Sequence, residues 1–246
     1  IPTIKFTKEQ IFLICAVLGT TISPYLFFWQ TSQEVEESIL KGQTSLKLRQ
    51  EAVSDKEIKL MRQDIWSGMF LSNLVMFFII AATAATLFAN GITNIPTAAD
   101  AAAALRPIAG DYAYLLFALG VIGTGMLAIP VLAGSASYAM SESFGWKVGL
   151  YRKLKEANAF YGIIIISTFL GVALNFVGID PIKALIFAAI VNGMVAPVIL
   201  ILIVLISSNK KVMGDRVNHP IATVLGLLIT GLMALAGIAT IFFSFF

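Results

Sequence analysis

Six stretches of the chain are almost unbroken runs of apolar residues: 11–29, 65–89, 112–138, 160–177, 182–206 and 221–246. Each is near or above the roughly 18–20 residues that an α-helix needs to cross about 30 Å of hydrocarbon. The pattern predicts an all-α integral membrane protein with six transmembrane helices in one membrane domain, 1–246. The fourth run is the shortest. It ends at Gly178, ahead of Asp180-Pro181, a tight-hairpin signal leading into the fifth.

Two polar connections carry their own helical pattern. In 32–64, Glu34, Glu36, Glu37, Glu51, Asp55 and Glu57 alternate with basic residues, and Ile39, Leu40, Leu46, Val53, Ile58 and Leu60 recur at loosely helical spacing. This predicts a short amphipathic linker helix on the inner membrane surface. A solvated linker is the plainer reading than a partner-binding element. The stretch TAADAAAALRP in 90–111 predicts a short Ala-rich helix, capped by Thr97 or Asp100 and stopped near Pro107.

Basic residues alternate along the connections. Lys41, Lys47, Arg49, Lys56, Lys59 and Arg62 lie in 32–64, Lys147, Arg152, Lys153 and Lys155 in 139–159, and Lys210, Lys211 and Arg216 in 207–220. The connection 90–111 holds only Arg106, and 178–181 holds none. By the positive-inside rule the first, third and fifth connections are cytoplasmic. Both chain ends, near Lys5 and Lys8 and at Phe246, are then outside.

Neutral polar residues interrupt two of the runs. The first contains Gly19, Thr20, Thr21, Ser23 and Pro24 at its middle; the fifth contains Asn192-Gly193 and, four residues past Gly193, Pro197. Proline in a helix interior removes a hydrogen bond and clashes with the preceding turn, and hydrocarbon offers no water in compensation. Unwinding near Thr20–Pro24 would free backbone carbonyls to coordinate a cation, with Thr20 and Ser23 adding hydroxyl oxygens. A kink whose Ser and Thr hydroxyls bond back to carbonyls one turn earlier fits the same residues. Asn192 serves equally as a ligand amide or as a bond to a neighbouring helix. Asn73 and Asn175 read as interhelical bonds, and Gly120, Gly123, Gly125, Gly134, Ser135 and Ser137 as a small-residue packing stripe.

Composition narrows the functions. Of 246 residues, 13% are charged, against about a quarter in soluble domains. The net charge of +3 belongs to the loops as a topology signal, so no nucleic-acid surface is expected. A single cysteine, Cys15, excludes an internal disulfide, and the single histidine, His219, lies in a loop. The cores of the runs hold no Asp, Glu, Lys, Arg or His, Lys183 standing at the edge of the fifth, so no buried carboxylate is expected to guide an ion. No nucleophile–base constellation, phosphate loop or Cys/His metal spacing occurs, which speaks against an enzyme. The first residue is Ile1, and the chain reads as starting inside something longer.

The segment GTTISPYLFFWQTSQEVEE resembles the sixth transmembrane helix of the Nramp family of divalent-metal transporters, most closely its magnesium-transporting branch. The six runs map in order onto helices six to eleven. The resemblance implies the second repeat of a LeuT-type inverted-repeat fold, in an alternating-access transporter of Mg²⁺ or Mn²⁺. Against the family's Met-Pro-His-Asn, anchored on Pro24, Ser23 stands at the methionine, Tyr25 at the histidine and Leu26 at the asparagine. Gln30 takes the second histidine position, Thr20 the carbonyl ligand, and Asn192 the glutamine of helix ten when Pro197 anchors the alignment. The resemblance thus implies Thr20, Ser23 and Asn192 as metal ligands, with Gly19, Pro24, Tyr25, Gly193 and Pro197 as helix-break and gating residues.

Oxygen ligands without the methionine sulfur suit Mg²⁺ and tolerate Mn²⁺, and loss of both histidines removes groups for proton coupling near neutral pH. The ion is cargo; no cofactor is implied. The family's Asp-Pro-Gly-Asn first helix is missing, because Asp180-Pro181 is followed by Ile182 and Lys183. The implied partners are membrane lipid, the divalent cation and the absent N-terminal repeat, in a bacterial plasma membrane. The other readings of the residues are a LeuT-fold transporter of amino acids or organic solutes, and a non-transporting membrane scaffold.

Overall fold

The computed structural model describes residues 7–95 and 97–245; of Pro24, Ile108 and Phe245 only the backbone is described. Lys5 and Phe246, which the topology reading uses, lie outside the described residues. Among the described residues the regular elements are helical. They are α1 (Lys8–Ile22), α2 (Pro24–Leu40), α3 (Leu46–Ala52), α4 (Asp55–Thr86), α5 (Ala98–Ala102), α6 (Arg106–Ala109), α7 (Ala113–Ser143), α8 (Asn158–Leu174), α9 (Pro181–Ser207), α10 (Lys210–Met213) and α11 (Pro220–Phe245). Five helical stretches are long and apolar enough to cross a membrane: Lys8–Leu40, Asp55–Asn90, Gly110–Ser143, Pro181–Ser207 and Pro220–Ser244. The fourth sequence run becomes α8, which is apolar but 17 residues long.

Local chemistry sets the helix ends. Ser54 and Glu57 form a reciprocal capping box that starts α4 ten residues before its apolar run. The second half of α2, all of α3 and the start of α4 therefore occupy most of 32–64, which the hydrophobic pattern assigns to a linker. The side chain of Asp180 accepts the amides of Ile182 and Lys183, and Pro181 follows at the first helical position of α9, where its missing N–H costs nothing. Thr97 and Asp100 form a capping box on α5, as the sequence predicts. Pro107 differs from expectation: it sits in the first turn of α6 rather than ending a helix.

The chain divides into two compact units, 1–27 with 179–246, and 28–178. In the first, α1, α9 and α11 pack against one another. Their buried faces are narrow: Ile11, Cys15, Ala16 and Gly19 on α1, Gly193, Ala196 and Val204 on α9, and Thr230, Met233 and Thr240 on α11. Small side chains predominate because helices in hydrocarbon associate by close backbone approach.

In the second unit α7 packs on α8 around Tyr138, Ala157 and Phe160, with Trp29, Val148, Tyr161 and Ile164 against them. Only the second half of the predicted small-residue stripe packs in this way. Gly134 lies under the Trp29 ring, and the buried Ser137 donates to the Phe160 carbonyl, while Gly120 and Gly123 face open space. Asn73 and Asn175, expected to bridge helices, donate to Met69 and Val172 within their own turns.

Candidate functional site

The first apolar run is broken at one residue. Ser23 has φ 45° and ψ 70°, the left-handed region, and is the non-glycine residue with positive φ among those described. A left-handed residue cannot continue a right-handed helix and costs a side-chain-bearing residue roughly 1–2 kcal/mol. Proline at 24 explains why the chain accepts it. Pro24 has no amide to give the Thr20 carbonyl, so the Ser23 hydroxyl donates to that carbonyl in its place. Leu26, whose amide would reach Ile22 in an unbroken helix, donates to the Ser23 carbonyl at 2.9 Å. The Gly19 carbonyl keeps its helical donor, the Ser23 amide at 3.2 Å, while the Thr20 and Ile22 carbonyls lose theirs.

The hydroxyls on the α1 side of the break behave as the kink reading expects. Thr20 Oγ1 donates to the Ala16 carbonyl at 2.9 Å, and Thr21 Oγ1 to Val17 at 2.7 Å. Both features therefore coexist: hydroxyls bonded back one turn, and a helix that stops. A hydroxyl that donates its proton keeps its oxygen lone pairs, so the buried Ser23 Oγ remains an acceptor or ligand.

The second interruption is of a different kind. Gly193 and Pro197, expected to break their helix, lie within the continuous α9. Pro197 removes only the hydrogen bond that would reach the Gly193 carbonyl four residues earlier. Neighbouring turns hold the helix together, as they commonly do in membrane spans. Gly193 is there for space. A Cβ added to it would sit 2.4 Å from the Cys15 carbonyl oxygen and 2.7 Å from Cys15 Sγ. One added to Gly19 would lie 2.3 Å from the Gly193 nitrogen and 2.4 Å from the Ala189 carbonyl oxygen. The α1 and α9 backbones thus meet at Gly19 and Gly193, next in sequence to Thr20 and to Asn192. The Cys15 thiol completes the crossing with a weak bond to the Ile190 carbonyl at 3.8 Å.

Of the residues singled out by sequence, Gly19 and Gly193 are brought together; Thr20 and Asn192 stand next to them in sequence, Thr20 exposed, and Ser23 is buried just past the end of α1. The Asn192 side chain is half-buried and makes no hydrogen bond among the described residues. Tyr25 is half-buried in the first turn of α2. Gln30 stands further along α2, where its amide donates to Glu34 at 3.1 Å. Among the described residues no three of His, Cys, Asp and Glu cluster as metal ligands.

One carboxylate escapes the sequence reading. Glu36 lies on the part of α2 assigned to the linker, yet it is 8% exposed. It accepts the Tyr138 hydroxyl and the amides of Leu150 at 2.7 Å and Tyr151 at 3.2 Å. The expectation of no buried carboxylate is corrected here. Its neighbours Glu34 and Glu37 face outward, and nothing in the pattern of the three distinguishes the one that is buried.

The whole chain is similar to one protein family. Residues 1–243 match the family described as natural resistance-associated macrophage protein-like, Nramp. A divalent metal cation transporter, MntH, of Caldanaerobacter subterraneus is 26% identical over 230 residues, which cover 93% of this chain and 50% of that protein. The MntH of Deinococcus radiodurans is 23% identical over 89% of this chain and 46% of its own length. That of Clostridium acetobutylicum is 23% identical over 96% and 51%. The chain spans about half the length of the curated relatives it matches.

Proposed function

The chain belongs to the Nramp family, and from that membership we propose that it is the C-terminal half of a divalent metal cation transporter whose cargo is Mg²⁺ or Mn²⁺. The observation that carries the proposal is the single left-handed residue Ser23 between α1 and α2. It leaves the Ile22 carbonyl without its helical donor, beside the crossing to the helix that bears Asn192. A hydrated hard cation needs several oxygen ligands with modest charge around them. The Ser23 hydroxyl, the Thr20 backbone and the Asn192 amide oxygen form half of such a shell. The charged half comes from the N-terminal repeat of the same transporter.

Mg²⁺ dehydrates reluctantly, so it keeps several waters in this pocket. Absence of sulfur from the donor set removes the preference for softer transition metals. In a LeuT-type inverted repeat, broken helices place such carbonyls near the bilayer midplane, where the two repeats meet. Transport then proceeds by alternating access, with Pro24, Tyr25, Gly193 and Pro197 shaping the moving parts. The basic connections face the cytoplasm of a bacterial cell.

The test is uptake into proteoliposomes by the full-length protein. Ser23→Leu and Asn192→Leu should each lower Mg²⁺ or Mn²⁺ uptake at least tenfold while the protein remains folded. A full set of amino acids should not compete. Uptake that survives both substitutions would remove these residues from the pathway, and competition by an amino acid would replace the cation with an organic solute as cargo.

A further inference from the structure

We propose that Glu36 is a clasp: its carboxylate pins the α7–α8 connection to α2 and sets the rate at which α2 moves, without touching the transported ion. The functional part rests on the transport reading above; the clasp itself does not. All of its residues lie in one compact unit, 28–178.

The connection between α7 and α8 is held from two sides. From α2, Glu36 accepts the Leu150 and Tyr151 amides together with the Tyr138 hydroxyl, and Gln33 donates to the same hydroxyl oxygen at 3.2 Å. From α8, Tyr161 donates its hydroxyl to the carbonyls of Leu150 at 3.2 Å and Arg152 at 2.8 Å. Arg152 Nε closes the turn on the Val148 carbonyl at 3.1 Å. The turn fits only because residue 149 is glycine. Gly149 has φ 128°, and an added Cβ would lie 2.4 Å from the Tyr151 ring and 3.0 Å from Glu36 Oε1. The local chain is thus shaped around the carboxylate.

Three features set Glu36 apart from a solvated acid. It is buried, whereas Glu34 serves an exposed amide of its own helix and Glu37 pairs with Lys41 at 4.0 Å on the surface. Its partners are 102 to 115 residues away in sequence, so the bonds fix tertiary placement and not helix stability. Charge-assisted bonds to backbone amides are strong, and breaking these two leaves part-buried donors unsatisfied. Glu36 also stands on the helix that begins directly after Ser23. A clasp on α2 therefore bears on the half-helix that must rearrange if the break opens and closes.

The experiment compares Glu36→Ala, Glu36→Gln, Tyr138→Phe and the surface control Glu37→Ala in the full-length protein. Limited trypsin digestion, read by mass spectrometry, follows cleavage at Lys147, Arg152, Lys153 and Lys155. Glu36→Ala should be cut in this connection roughly tenfold faster than Glu37→Ala, because local opening governs cleavage. Glu36→Gln should fall between the two, and Tyr138→Phe, which keeps the two backbone bonds, should remain closer to the control. In proteoliposomes the maximal uptake rate should change several-fold in Glu36→Ala while the half-saturating cation concentration stays within twofold.

Equal cleavage of Glu36→Ala and Glu37→Ala overturns the clasp. Faster cleavage with unchanged maximal rate overturns its role in transport. A half-saturating concentration that moves with the rate places Glu36 on the ion pathway and overturns the assignment as a positioning residue. Should the unmodified protein move no divalent cation, the transport reading fails, and the digestion alone still decides the clasp.

Discussion

Alanine at position 193 is a demanding test of the α1–α9 crossing. Ordinary contact begins at 3.4 Å, whereas the new Cβ would lie 2.4 Å from the Cys15 carbonyl oxygen and 3.1 Å from the Cys15 carbonyl carbon. These are backbone atoms, which no rotamer change can move aside. The two helices must separate by about 1 Å, and overpacking of this kind costs about 1–3 kcal/mol. The substitution also returns something, because glycine is worse than alanine inside a helix by roughly 0.5–1 kcal/mol. With Gly19 already touching Gly193 backbone to backbone, the shift unpacks the neighbouring turn as well. A net loss of about 1–2 kcal/mol follows.

The assay is thermal unfolding of the full-length protein in detergent, with two controls on α11. A Cβ at Gly237 meets its nearest neighbour, Met194 Cα, at 3.5 Å, and one at Gly231 meets nothing within 4 Å. Gly193→Ala should unfold several degrees below wild type, while both controls should match or exceed it. Gly19→Ala combined with Gly193→Ala should cost less than the sum of the two, since one helix shift relieves both clashes. If Gly193→Ala is as stable as Gly231→Ala, the helices do not meet at these glycines and the reasoning fails.

Further outcomes follow from the same contacts. Ser23→Gly should keep the break, since glycine adopts the left-handed conformation freely, and should leave stability nearly unchanged while uptake falls; loss of stability with normal uptake would mean the hydroxyl only braces Thr20. Ser23→Ala loses the same bond to the Thr20 carbonyl as Ser23→Gly but keeps the unfavourable φ, so it should be about 1 kcal/mol less stable than Ser23→Gly on the same unfolding curves. Asp180→Ala removes the acceptor of the Ile182 and Lys183 amides at the start of α9; it should cost about 1 kcal/mol with faster hydrogen exchange confined to the first turn. Gly149→Ala, at φ 128°, should loosen the α7–α8 connection in trypsin digestion much as loss of Glu36 does.

Features written within one or two turns were legible in the chain itself. Runs of apolar residues placed the long helices, because burying backbone in hydrocarbon demands helix and little else. The Thr97–Asp100 cap was readable for the same local reason, as was an interruption centred on Thr20, Ser23 and Pro24. A proline and its near neighbours suffice to disturb a helix. Whether that disturbance becomes a kink or a break was undecided by sequence, since the hydroxyl-to-carbonyl bonds of Thr20 and Thr21 occur in either case. The left-handed Ser23 settled it.

Tertiary structure alone decided which small residues are crossings and which acid is buried. Gly193 and Pro197 look in sequence like a second break, yet α9 runs through them, and its glycine is needed by Cys15 and Gly19 some 170 residues away. Glu34, Glu36 and Glu37 are interchangeable in any local pattern; only the arrival of Tyr138, Leu150 and Tyr151 makes Glu36 different. The physical reason is the range of the forces. Hydrophobic period, caps and proline act through neighbouring residues, whereas close packing and buried hydrogen bonds exist only between surfaces that folding has already brought together.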